Sequence, residues 1–466
     1  MTSKTIFDKI WNNHSVGFRS DGKELLYIDR HVIHELHVPH AFSRLSKSKH
    51  QIHRKDLTII VQDHTVPTRE GLELISEHIK ITREHAKNYG LQLIDVHSKE
   101  HGIVHVVSPE LGLALPGFTL ACPDSHASTV GAIGCLAFGC GTSELEHILV
   151  TQTMVLNKPK QMRINLTGTL MRGVGAKDIA LKIIGLLGVD AGKGYAVEFA
   201  GPVIDQMSVE ERMTLCNMSI EWSCRTCIIA PDQKTIDWCT NRSQTPTRDH
   251  WNEVLKYWET LKSDGNSQFD KEHTIECSNV GPQITWGTDP SQVLDIGALV
   301  PSTTATQDQA YAQSIKAMNY MGLSAGQDLR GLNINRVFIG SCSNSRINDL
   351  REVAQLVEGK QVASHVKALI VPGSTATKEQ AESEGLDIIF KNAGFEWHKS
   401  GCSMCAGANG EVGQMGERCV STSNRNFENR QGRGVRTHLA SPQMAAAAAL
   451  AGHIVDARDF LPAKER

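Results

Sequence analysis

The stretch "KSGCSMCAGANG" at 399–410 sets Cys402 and Cys405 three residues apart, among glycines and other small side chains. Two thiolates are half of a metal site, and three completions compete. A second cysteine pair makes a zinc site, no further ligand leaves a redox disulfide, and one distant cysteine makes an iron–sulfur centre with one iron lacking a protein thiolate. Cys224 and Cys227 in "EWSCRTCII" form another CxxC, but they lie in an apolar, helix-like pattern and read as core. Cys342 in "GSCSNSR" (340–346) is the distant candidate, since that loop, "GCSMC" (401–405) and "STSNRNFENR" (421–430) are of one small-residue kind. If all three end strands on one sheet edge, three thiolates meet, and Ser and Asn side chains and backbone N–H groups can donate to sulfides. An iron left open would act as a Lewis acid on a substrate hydroxyl.

The elements that must position these loops read as α/β. Residues 1–158 alternate strand-like runs ("LLYID", "LTIIVQDH", "GIVHVVSP", "FTLACPDSH") with the helical "TREGLELISEHIKITREHAKNYG". Several runs end in His or Asp, and open α/β folds place ligands at the carboxyl ends of strands. Residues 159–279 open with the basic strand "KPKQMRINLTG", read as a solvated edge, and continue through the helix-like "SVEERMTLCNMSIEWSCRTCII" to a polar stretch. From 280 to 466 the strand, loop and helix order returns in "NRVFIG", "INDLREVAQLVEG", "VKALIVPG" and "KEQAESEGLDIIFKNAG". Three α/β domains, 1–158, 159–279 and 280–466, are therefore expected. The glycine pairs of "FGCGTSE" and "DAGKGYAVEF" match neither phosphate-loop pattern and read as tight turns.

Composition narrows the partners. With 48 Lys and Arg against 51 Asp and Glu the chain is nearly neutral, and it has no basic stripe, so a small molecule is expected and nucleic acid is not. The start, "MTSKTIFDKIWNNHSVG", lacks the apolar run of a secretory signal, and "MAAAAALAG" at 444–452 falls short of the ~18 residues of a membrane span. A cytoplasmic protein without a membrane segment is expected, its twelve cysteines free apart from a metal or cluster site.

In order and spacing, "GIVHVV", "DSH", "LCNMSIE", "FIGSCSNSR", "GCSMC" and "STSNRNFENRQGRG" resemble the motif set of the aconitase family over nearly the whole chain. Within it the arrangement is similar to the large chains of two-subunit dehydratases acting on alkyl-substituted malates. The resemblance implies three aconitase-type domains around one [4Fe–4S] cluster per subunit, held by Cys342, Cys402 and Cys405. It implies dehydration and rehydration of a small hydroxy-dicarboxylic acid by Asp63, His64, His105, Asp124, His126 and Glu221, with His64 as general acid. Substrate contacts fall to His34, Ser125, Asn217, Asn424, Arg425 and Arg430, the two arginines being suited to carboxylates by their planar fork. His34 reads equally as a structural histidine. Asn217 and Glu221, four apart in a predicted helix, share a face.

The chain departs from its relatives at Pro123, Ala127, Val130, Lys193 and Ser343. Val130, where a histidine is expected, adds apolar surface and would favour an alkyl substituent over a further carboxylate. Nothing after "HIVDARDFLPAKER" resembles the swivel domain of single-chain relatives, so a separate small subunit carrying it is the expected partner. Rival readings are a relative acting on citramalate, homocitrate or citrate, and a zinc or thiol-redox CxxC protein.

Overall fold

The computed structural model describes residues 3–71, 76–246, 248–302 and 309–461. The chain forms two compact units, one of Met1–Val66, Leu74–Gly168 and Asp190–Glu276, the other of Pro67–Glu73, Thr169–Val189 and Cys277–Arg466.

The first unit contains two parallel sheets. One orders its strands Gln92–Ile94, Thr58–Val61, Arg30–His34, Thr119–Cys122 and Leu136–Gly139. Thr58–Val61 and Thr119–Cys122 are buried on both faces, which is why they read as unbroken apolar runs. The helix Glu77–Tyr89 begins where the Ser76 hydroxyl accepts from the Ile79 amide at 3.3 Å and stops at Gly90, whose φ of 66° suits glycine. Residues 72–75 of the predicted helical stretch lie outside the described residues.

Three local expectations change here. "GIVHVVSP" forms the helix Val104–Glu110, because residues 104–109 are buried all round and an unbroken apolar run does not distinguish strand from helix. The helix expected through Cys227 stops at Met218; a 3₁₀ turn, Ser219–Trp222, and the strand Thr226–Ile228 follow, so the Cys224–Cys227 pair is core without being helical. In the second sheet, Lys160–Thr167 lies between Tyr195–Ala200 and Lys271–Glu276, so "KPKQMR" enters an interior strand and is not an edge.

The second unit carries a parallel sheet ordered Glu396–Trp397, Lys367–Ile370, Arg336–Ile339, Arg418–Ser421 and Arg436–Leu439. Val337, Ile339, Ile370 and Val420 share a core with the helix Pro442–Ala451, whose alanines 445–449 are all buried. Alanine there lets helix and sheet approach closely, and it explains the short apolar tract near the chain's end. "KEQAESEGLDIIFKNAG" makes two helices, Thr375–Ser383 and Leu386–Ala393, separated at Gly385 with a φ of 74°. All twelve cysteines are buried and none is in a disulfide, and no described helix is long and apolar enough to cross a membrane.

Candidate active site

Because the strands of the first sheet run parallel, their carboxyl ends deliver His34, Asp63 and Asp124 to one edge. Asp63 is fully buried; its Oδ1 accepts from His64 Nδ1 at 2.5 Å and its Oδ2 from the Val104 amide at 2.8 Å. His64 Nε2 lies 3.5 Å from Asp124 Oδ2, so the imidazole stands between two carboxylates. Asp124 Oδ1 also accepts from His105 Nε2 at 2.8 Å and from the His126 amide at 2.7 Å. His126 Nε2 donates to Glu221 Oε1 at 2.8 Å, and its Nδ1 is 3.4 Å from Ser125 Oγ. Asn217 donates to Thr129 Oγ1 at 2.9 Å. Although the helix breaks between them, Asn217 and Glu221 thus both reach the segment Ser125–Ile133.

The charges follow from this geometry. Burial works against the His64 cation, but the Asp63 carboxylate and the Asp124 hydrogen bond hold its pKa well above the ordinary histidine value. Burial would raise Asp63, yet the His64 charge and hydrogen bond bring it down to about 2. Asp124 is likewise opposed by burial and held well below the carboxylate range by the charge of His105 and by hydrogen bonds from three histidines. His34 goes the other way: burial first, then the neighbouring His64 charge, push it down to about 4. It is therefore a neutral imidazole whose ring centre lies 4.3 Å from that of His64. Its Nε2 donates to the Pro123 carbonyl at 2.9 Å, so Nδ1 carries the lone pair, and that atom is buried without a partner.

Glu35, which the sequence reading missed, accepts from the amides of Asp63 at 3.1 Å and Thr65 at 2.5 Å and fixes the Asp63–His64 turn. Its only signal was its place beside His34 in "DRHVIHE". A cavity of about 230 Å³ beside Asp124 is lined by Pro123, Ser125, Gly139, Cys140, Ile220 and Arg225. Val130, 1% exposed, is not among them.

In the second unit, Cys342 follows the strand Arg336–Ile339, Cys402 and Cys405 follow Glu396–Trp397, and Asn424 follows Arg418–Ser421, all at carboxyl ends of one parallel sheet. Asn424 Nδ2 lies 3.3 Å from Cys342 Sγ and its Oδ1 3.3 Å from Cys405 Sγ, which is also 3.1 Å from Ser341 Oγ. Arg346 holds the first loop by donating to the Cys342 and Ser343 carbonyls at 2.9 and 3.2 Å. Lys177, 1% exposed, donates to the carbonyls of Thr422 and Ser423 at 2.9 and 2.8 Å and to Ser343 Oγ at 3.1 Å. Glu411 accepts from Ser403 Oγ at 2.5 Å and from Thr68 Oγ1 at 2.6 Å, tying down the cysteine pair's loop. No sequence signal singled out Lys177, Arg346 or Glu411. Arg425 and Arg430 are half-buried, and Arg430 Nε is buried without a partner.

The donor set fits an iron–sulfur cluster better than a single ion. Among the described residues, no group of three or more His, Cys, Asp or Glu ligand atoms within 4.8 Å of one another includes these sulfurs, whereas tetrahedral zinc needs such proximity. A cluster separates its thiolates further and is served by small side chains and hydrogen-bond donors like Ser341 and Asn424.

The network of the first unit and the cysteine loops of the second lie in separate compact units. Comparison with solved structures finds aconitase X of Thermococcus kodakaraensis in its holo-form, 10% identical, with a TM-score of 0.45 over 86% of this chain and 84% of that one. The sequence profile of the Aconitase family (aconitate hydratase) matches residues 8–452. The chain, an α/β protein of parallel sheets, belongs to the aconitase family of hydro-lyases.

Proposed function

We propose that this chain is the large subunit of a 3-isopropylmalate dehydratase, interconverting 2- and 3-isopropylmalate by loss and re-addition of water in leucine biosynthesis. The observation that carries the reaction class is His64, held as a cation between Asp63 and Asp124. A buried imidazolium with two carboxylate supports can give its proton to a departing hydroxyl and recover it from water on return. His105 and His126 hold Asp124 ionised, and Glu221 fixes the His126 ring. Neutral His34 offers the Nδ1 lone pair to a substrate hydroxyl. Asn424, Arg425 and Arg430 are assigned to the cluster's surroundings and the substrate carboxylates. The [4Fe–4S] cluster, when bound by Cys342, Cys402 and Cys405, supplies an open iron as Lewis acid for the hydroxyl.

The alkyl preference rests on the motif set; the cavity beside Asp124 is lined by apolar Ile220 and Cys140 but also by Arg225, and Val130 lines no part of it. Anaerobic assays with a co-expressed small subunit, across isopropylmalate, citramalate, homocitrate and citrate, test the proposal. Isopropylmalate or a shorter alkylmalate is expected to exceed citrate by at least about tenfold in kcat/KM, a gap of ~1.4 kcal/mol. Equal or better turnover of citrate overturns the substrate assignment, and full turnover without the small subunit overturns the assignment of the partner.

A further inference from the structure

The basic segment at the head of the second sheet has no part in the chemistry above, and neither has Lys193, one of the departures from related sequences. Parallel register brings them together. Tyr195 pairs with Lys160, the Lys160 amide donates to the Gly194 carbonyl at 3.0 Å, and the Arg225 amide donates to the Tyr195 carbonyl at 2.8 Å. Lys160, Lys193, Tyr195 and Arg225 thus gather at the amino ends of three neighbouring strands, about 4.8 Å apart. Arg225 also lines the smaller cavity beside Asp124, whereas Lys160, Lys193 and Tyr195 do not.

The turn carrying Lys193 is held firmly. Gly192 donates to the Trp222 carbonyl at 2.9 Å, and a side chain at Gly192 would meet Cys224 Sγ at 2.5 Å. A cavity of about 640 Å³ opens here, and Lys23, Lys158, Lys160, Lys193 and Arg225 line it with Tyr195 and no carboxylate. Lys158 is paired with Asp8 at 2.7 Å and Lys23 lies 3.9 Å from Asp21. Among the described residues, Lys160, Lys193 and Arg225 have no carboxylate oxygen within 4.0 Å. Arg225 donates to the Gly139 carbonyl at 3.2 Å and stands half-buried in the wall, its guanidinium 5.4 Å from the Phe138 ring centre.

Unbalanced cations around one concavity, in a chain with a net charge of −3, repel one another and focus a positive field into it. The volume falls in the range of about 300–1,000 Å³ typical of small-molecule sites and far exceeds a single inorganic ion. We infer that this cavity is a second, non-catalytic binding site for an organic polyanion bearing at least two phosphate or carboxylate groups. The lysines take the charges, while Tyr195, Val155 and Pro159 receive the less polar part.

Calorimetric titration of the purified full chain with pyrophosphate, ADP and tricarballylate tests this inference without reference to the hydro-lyase reaction. At least one probe should bind with a Kd below about 1 mM at an ionic strength of about 0.15 M. The double variants K160E/K193E and K160Q/K193Q should weaken it by about tenfold or more and retain the wild-type melting temperature. Preference for pyrophosphate and ADP over tricarballylate identifies a phosphate ligand, the reverse a carboxylate ligand, and tighter binding of ADP than pyrophosphate assigns Tyr195 to the base. Failure of all three probes to bind, or equal binding by wild type and the glutamine variant, overturns the inference.

Discussion

In the first unit, the carboxylates of Asp63, Asp124 and Glu221 face the imidazoles of His64, His105 and His126, and each is joined to the others' neighbours within one hydrogen-bonded network. In the second, Cys342 and Cys405 meet neutral groups, the Asn424 amide and the Ser341 hydroxyl, while the charged side chains Lys177, Arg346 and Glu411 work on the backbone and side chains of the loops. The difference teaches where preorganisation comes from. Opposite charges in a low dielectric orient one another, so the acid–base network is complete by itself. Soft thiolate ligands need room and donors around them, so their loops are braced from behind instead.

The sharpest break between the two regions is iron content. Cys342→Ser, Cys402→Ser and Cys405→Ser should each abolish the brown colour, iron and acid-labile sulfide of anaerobically purified protein, whereas Cys224→Ser and Cys227→Ser should leave them intact. Stoichiometric zinc without sulfide, in protein made under iron-replete anaerobic conditions, would end the cluster assignment.

Asp124→Asn removes the negative charge that His64 and His105 share, and one of its two acceptor oxygens, and should lower kcat by roughly 10²–10⁴-fold with iron content unchanged. The same variant fixes the sign of the pH dependence. His64 has its pKa raised, so its proton is present through neutral pH and activity is lost as pH rises through that value. Weakening the carboxylate support should move this alkaline limb to lower pH in profiles of kcat. An unmoved limb would show that His64 is not the titrating acid.

The smallest effect sharpens the bracing argument. Lys177→Met removes the Lys177 donor from the Ser423 carbonyl, while the Thr422 carbonyl keeps Ser343 Oγ at 2.7 Å, and should cost about 1–3 kcal/mol, read as a fall in melting temperature. Iron should also leave the variant faster in air, while the pH profile of residual activity stays as in the wild type. A changed profile with unchanged melting would place Lys177 in the chemistry instead.

Much of this was legible in the sequence because it is local. Strand, small-residue loop and helix follow one another within a few tens of residues around Cys342 and Cys402, and periodicity and loop composition report such units directly. The Asp–His pairs at 63–64 and 124–126 were visible for the same reason. Where an apolar run is buried all round, as at 104–109, the side-chain pattern carries no period and the helix could not be told from a strand. The rest needed tertiary structure, since it depends on partners far apart in the chain. Lys177 finds the Thr422 carbonyl across 245 positions, and the His34 tautomer is set by the Pro123 carbonyl 89 positions away. Lys160, Lys193 and Arg225 look like scattered surface cations until parallel register lines up the strands that carry them. Residue types and their local order specified which chemistry is possible; register and burial decided which nitrogen holds a proton, which charge is balanced and which is left open, because those quantities depend on distances that no short stretch of chain contains.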